Sequence, residues 1–201
     1  MKEAHGSSLN DVVLAACTGS LRSFLEAHGE DTHGRVMKAM VPVSLRGEEE
    51  HGDTLGNRVS LFVVELPIDE PDPLARLERI HALTSELKGS GLVDGADTIV
   101  RLADKIPPLA VQLSRFVTSQ IPMNMVITNI PGPPMPLYVR GARIRRVYPY
   151  VEVVDNEGLT IAVVSYDDHL YFGITSDRDV VPDLADLAAG IEAEFAALVA
   201  A

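Results

Sequence analysis

The chain of 201 residues (21.7 kDa) carries 17 Lys and Arg against 29 Asp and Glu, a net charge of -12 and a pI near 4.8. That acid excess excludes sequence-independent binding to nucleic acid, and a hydrophobic share of 46% excludes global disorder. A single cysteine, Cys17, excludes an internal disulfide and any multi-cysteine metal site; no apolar run is long enough to span a bilayer and Met1–Asn10 lacks a signal-peptide core, so a soluble, cytoplasmic chain is expected.

Ser7, Ser8, Asn10 and Asp11 offer N-caps ahead of an apolar stripe of Leu14, Cys17, Leu21, Phe24 and Leu25. A helix is therefore predicted up to His28-Gly29, with Cys17 as a small buried thiol. Arg35–Leu45 is predicted as a strand and Arg46–Gly56 as an acidic loop. Arg58–Leu66 is β-branched and aromatic-rich, and its apolar run predicts a central strand. Asp72-Pro73 opens a helix with Leu74, Leu77, Ile80, Leu83 and Leu87 on one side. Asp97–Ser119 is predicted as a further helix that Pro107-Pro108 breaks or kinks.

Met123–Ile130 reads as a strand running into the rigid turn Pro131-Gly132-Pro133-Pro134. Leu137–Val139, Ile144–Val154, Leu159–Tyr166 and Leu170–Ser176 follow as strands, the last two joined at Asp167-Asp168 as a hairpin. Pro182 opens a closing helix striped by Leu184, Leu187, Ile191, Phe195 and Leu198. The order predicts an α/β fold, a mixed β-sheet covered by helices, in one domain over residues 1–201.

Autonomous chemistry is thinly written. Gly89-Ser90-Gly91 follows a helix and lacks the third glycine of a phosphate loop. His28, Asp31 and His33 can be drawn as a metal cluster, but structural zinc takes four ligands at tighter spacing, so no metal is expected. Asp177 and Asp179 read as turn residues, and Asp183 beside Pro182 as an acid that favours the positive end of a helix. Asn10-Asp11 and Gly56-Asn57 stand open between a cap or turn role and a functional one. Thr128-Asn129 ahead of Pro131-Gly132-Pro133 fixes a stiff strand end of the kind that lines pockets. Arg140, Arg143, Arg145 and Arg146 make the one basic cluster.

Four stretches, Leu9-Asn10-Asp11-Val12-Val13-Leu14, Pro42-Val43-Ser44-Leu45-Arg46, Gly56-Asn57-Arg58-Val59 and Thr128-Asn129-Ile130-Pro131-Gly132-Pro133, occur in that order. With Ser165-Tyr166-Asp167, Phe172-Gly173 and Ser176-Asp177-Arg178, the chain resembles the C-terminal half of the bacterial wax ester synthase/diacylglycerol acyltransferase family. The resemblance implies a chloramphenicol-acetyltransferase-like lobe of an acyl-CoA-dependent O-acyltransferase that makes triacylglycerol or wax esters. Such enzymes have two similar lobes with a tunnel between them, and a histidine in an HHxxxDG motif of the N-terminal lobe is the general base. No adjacent His-His pair occurs here, and the tail reads Ser176-Asp177-Arg178-Asp179-Val180-Val181-Pro182-Asp183 where histidine-bearing relatives would read DHRxxDG.

The resemblance therefore implies a lobe without its base, inactive alone, forming one wall of the tunnel. Asn10 and Asp11 are carried over first, as shapers of the site rather than proton carriers, with Ser44, Arg46, Asn57, Asn129 and Gly132 behind them. The partners implied are the N-terminal HHxxxDG lobe, acyl-CoA, and a long-chain alcohol or diacylglycerol. A homodimer and peripheral association with membrane or lipid inclusions are further expectations; no cofactor and no nucleic acid are expected. Ile106–Ile121 is one candidate for an apolar face toward the missing lobe, the alternative being that it packs on its own sheet. The alternative is a non-catalytic lipid- or protein-binding module reusing the same fold.

Overall fold

A computed structural model describes residues 6–44, 59–89, 123–153 and 157–201. Helix α1 (Leu9–Ala27) starts at Ser8, whose extended backbone and side chain make a capping box. Its Oγ accepts from the Asp11 amide at 3.2 Å, and Asp11 Oδ2 accepts from the Ser8 amide at 2.8 Å. Every residue from Asp11 to Leu21 is buried, so α1 is a core helix rather than an amphipathic surface one.

Helix α1 is flanked by α2 (Pro73–Gly89) and α3 (Leu184–Ala200). Arg76 of α2 is 1% exposed and pairs with Glu194 of α3, while also donating to the carbonyls of Ala15 and Glu70. This pair crosses α1 at Gly19, where a methyl group would collide with both side chains. An ion pair between the buried Arg76 and the half-buried Glu194 thus ties three helices together. Apolar periodicity gave no sign of it, because Arg76 sits on the buried side of α2 between Leu74 and Leu77.

The sheet comprises β1 (Met37–Ser44), β2 (Val59–Leu66), β3 (Met125–Ile130), β6 (Leu159–Tyr166) and β7 (His169–Ser176), in the order β2-β1-β3-β6-β7. The inner strands β1, β3 and β6 are parallel, and the edge strands β2 and β7 pair antiparallel to them. Ala39, Val41, Val64, Met125, Ile127 and Ile161 belong to the buried cluster that includes α1. Asp167 and Asp168, both at positive φ, close the predicted β6–β7 hairpin.

Two strand expectations are corrected. Among the described residues β2 is an edge strand, not a central one: Phe62, Val64 and Leu66 are buried, Val63 is half-buried and Glu65 exposed, an alternation that Val63 disguises as a continuous apolar run. Residues 144–153 form no strand. Pro149 has no N–H for a ladder, and its carbonyl packs where a Cβ on Gly173 would sit. Hydroxyls satisfy this segment instead: Tyr166 donates to the Ile144 carbonyl at 2.8 Å and Tyr171 to the Arg145 carbonyl at 3.1 Å. Leu137–Val139 contracts to β4 (Tyr138–Val139), paired with β5 (Ala142–Arg143) around Arg140-Gly141, both at positive φ. The helix expected at Asp97–Ser119, with the face at Ile106–Ile121, lies outside the described residues.

Candidate functional site

The parallel strands β1, β3 and β6 end at Ser44, Ile130 and Tyr166. At the opposite, starting end, Leu21, Phe24 and Leu25 of α1 line a cavity of about 560 Å³ with Met37, Met125 and Leu159. α1 therefore runs against the parallel strands, and its first turn, with Asn10 and Asp11, lies toward their carboxyl ends. Open α/β sheets bind ligands in the crevice outside those ends. Asn10, Asp11, Ser44, Asn129 and Gly132 thus come to one end of the sheet. Arg46 and Asn57 lie outside the described residues, in the connection that leaves β1 after Ser44 and enters β2 at Val59, the register partner of Ser44.

Asp11 is 1% exposed. Besides the Ser8 amide, its carboxylate accepts from His81 Nδ1 at 2.9 Å and from the Thr84 hydroxyl at 2.8 Å, both on α2. Burial pushes this carboxyl up, but the hydrogen bonds from His81, Ser8 and Thr84 outweigh it and hold the group below its ordinary value. Asp11 is therefore an ionised clamp between α1 and α2, which places the half-buried Asn10 at the start of α1. The sequence reading missed His81 and Thr84. One signal was available: Thr84 follows Ile80 by four residues, on the buried side of α2, where an isolated polar side chain asks for a partner.

Asn129 is half-buried on β3 opposite Val163 of β6. Beyond it the Gly132 amide donates to Ser165 Oγ at 3.0 Å, and the Asp167 amide donates to the Pro133 carbonyl at 3.2 Å. A methyl group on Gly132 would overlap the Ser165 carbonyl oxygen, so only glycine lets the turn lie this close to β6. A larger apolar groove, of about 770 Å³, lies away from these residues along β7 and α3, between Leu170, Phe172, Ile174 and Leu184, Ile191, Phe195. Size alone would choose the groove; the polar side chains lie at the sheet end.

The other acids and histidines singled out in the sequence make local contacts where they lie among the described residues. His28 Nδ1 meets the Phe24 carbonyl at 2.8 Å and Nε2 meets Asp183 at 3.4 Å; the Phe24 carbonyl first, then Asp183, raise its pKa. Asp183 is the N-cap of α3 but makes no side-chain cap hydrogen bond. Asp31 accepts from the His33 amide and Asp177 from the Asp179 amide, and no three metal-ligating side chains cluster among the described residues. Cys17 is buried, and burial pushes its thiol up to about 12.

The family model for the WS/DGAT C-terminal domain matches residues 55–199. The chain belongs to the WS/DGAT family. It is 37% identical over 196 residues to a probable diacylglycerol O-acyltransferase, tgs1, of Mycobacterium tuberculosis, covering 96% of this chain and 42% of that protein. It is 32% identical over 190 residues to the O-acyltransferase WSD of Acinetobacter baylyi, covering 94% and 41%. In structure it matches the wax ester synthase/diacylglycerol acyltransferase of Marinobacter aquaeolei VT8, with a TM-score of 0.72, 26% identity, and coverage of 98% of this chain and 44% of that one. The fold is thus the chloramphenicol-acetyltransferase-like one, and this WS/DGAT chain spans less than half the length of the relatives it matches.

Proposed function

We propose that residues 1–201 form a single C-terminal lobe of an acyl-CoA-dependent O-acyltransferase that makes triacylglycerol or wax esters, and that this lobe is one wall of the substrate tunnel. The observation that carries the reading is the collection of Asn10, Asp11, Ser44, Asn129 and Gly132 at one end of the sheet, in a chain similar along nearly all its length to acyltransferases. The histidine base belongs to the N-terminal half, since no His-His pair occurs here. It removes the proton of the acceptor hydroxyl, whose oxygen attacks the thioester carbonyl and expels the CoA thiolate.

On this side of the tunnel, Asp11 is fully engaged by three donors and holds α1 in place rather than moving a proton. The amides of Asn10 and Asn129 are the groups available to orient substrate or to donate to developing charge, the role that supplies much of the rate in acyl transfer. Among the described residues no helix is long and apolar enough to cross a membrane, so contact with a lipid substrate would be made at a surface.

The test compares the purified chain with a fusion in which it replaces the matching part of the tgs1 relative, using palmitoyl-CoA with hexadecanol or dioleoylglycerol. The chain alone should form no ester, and the fusion should form it. In the fusion, Asn10→Ala should lower turnover without lowering Tm. Turnover by the chain alone that scales with protein and survives replacement of each of its six histidines would refute the reading.

A further inference from the structure

Of the eleven large apolar side chains exposed among the described residues, seven lie within residues 130–150, among them Met135, Tyr138, Val139, Tyr148 and Tyr150. The same segment holds Arg140, Arg143, Arg145 and Arg146 and has no Lys, Asp or Glu, in a chain of net charge -12. Enrichment in Tyr, Met and Arg with depletion of Lys, Asp and Glu is the composition of a protein–protein interface core.

The segment is also braced against β6 and the β6–β7 turn. Tyr166 ties both sides of the β4–β5 hairpin, accepting from the Leu137 amide and donating to the Ile144 carbonyl, each at 2.8 Å. Arg143 pairs with Asp167, and the Gly132 amide with Ser165. Seven apolar side chains exposed on a hydrogen-bonded backbone platform make a binding face. The face continues from Asn129 and Gly132, at the sheet end where the candidate site collects, and the WS/DGAT relatives are more than twice as long as this chain.

We propose that residues 130–150 are the seat of the other half of the enzyme, with Tyr138 and Tyr150 as anchors in a partner face that is apolar at its centre and acidic at its rim. The proposal rests on the two-lobed reading above. It goes further in naming the surface.

The test is hydroxyl-radical footprinting of Tyr138, Tyr148 and Tyr150 in the chain alone and in the tgs1 fusion. The tyrosines should react fast in the chain alone and several-fold more slowly in the fusion. As a second measurement that does not depend on the fusion folding, the chain is titrated with the unmatched part of tgs1 expressed separately. Tyr138→Glu with Tyr150→Glu should leave the Tm of the chain alone unchanged and weaken that association about tenfold or more. Equal reactivity in chain and fusion, or slow reaction in the dilute chain alone, would overturn the proposal. So would protection of the chain alone that grows with its concentration, which marks a second copy. Binding of chain and fusion alike to dioleoylphosphatidylglycerol vesicles, lost in the double variant, would identify a lipid surface instead and overturn it too. The two readings fail separately: a fusion that makes ester with fully reactive tyrosines refutes the seat, and one with protected tyrosines but no ester refutes the function.

Discussion

Gly132→Ala tests how the Pro131–Pro134 turn is held. The added methyl group would overlap the carbonyl oxygen of Ser165, with Ser165 C and Val164 Cγ2 both at 3.2 Å, so backbone rather than a flexible side chain blocks it. The turn must lift from β6. Lifting stretches the Gly132 amide to Ser165 Oγ bond and the Asp167 amide to Pro133 carbonyl bond, each worth roughly 0.5–1.5 kcal/mol. Overpacking strain adds about 1–3 kcal/mol if the turn moves only part of the way. The expected loss is about 2–4 kcal/mol, which at roughly 2–4 °C per kcal/mol for a chain of this size lowers Tm by about 4–16 °C. Thermal and urea unfolding measure it. Two controls isolate the cause: Ser165→Ala removes only the hydrogen bond and should cost about 1 kcal/mol. Gly89→Ala, in open space at the end of α2, should cost nothing. A Gly132→Ala protein no less stable than Ser165→Ala would refute the close-approach argument.

Asp11→Asn should destabilise the chain at neutral pH. Because the native carboxyl lies below its ordinary value, its contribution is complete above about pH 4 and is lost as pH falls through the native value, so urea midpoints of parent and variant should converge in acid. Glu194→Ala strands the buried Arg76 charge and should cost about 3–5 kcal/mol, whereas Arg76→Met with Glu194→Leu should cost less than that single change; a double-variant cycle of unfolding midpoints checks both. Cys17, with its thiol at about 12 and no exposure, should resist a disulfide reagent in the native protein and react at once in denaturant.

Much of the fold was legible because apolar spacing and turn chemistry are local. Leu159–Tyr166 and the Asp167-Asp168 hairpin follow from a short β-branched, apolar run and two turn residues, and α3 from a stripe whose Leu187, Ile191 and Leu198 are indeed buried. What was illegible is decided by neighbours distant in sequence. Ile144–Val154 has strand composition, yet Gly173 admits the Pro149 carbonyl and tyrosines from β6 and β7 take the carbonyls a partner strand would take. Arg76 looks like a surface charge until Gly19 and Glu194 meet it across α1. For the candidate site, Asn10-Asp11 could be singled out by motif, but the clamp from His81 and Thr84 spans 70 residues and needed the packing of α2 on α1.

The bridging hydroxyl of Tyr166 fixes an order of events in folding. The Leu137 amide and Ile144 carbonyl find this partner only where β6 places it, and β6 docks on β3 across more than thirty residues of chain. Until that slow, non-local pairing is made, the hairpin has a two-residue ladder and nothing to rest on. Residues 137–144 should therefore be the last to gain protection when refolding is followed by pulsed hydrogen exchange, after the β3 and β6 amides. The arginine- and tyrosine-rich face would then assemble only on a chain whose sheet is already complete. A hairpin protected before β6 would contradict this order.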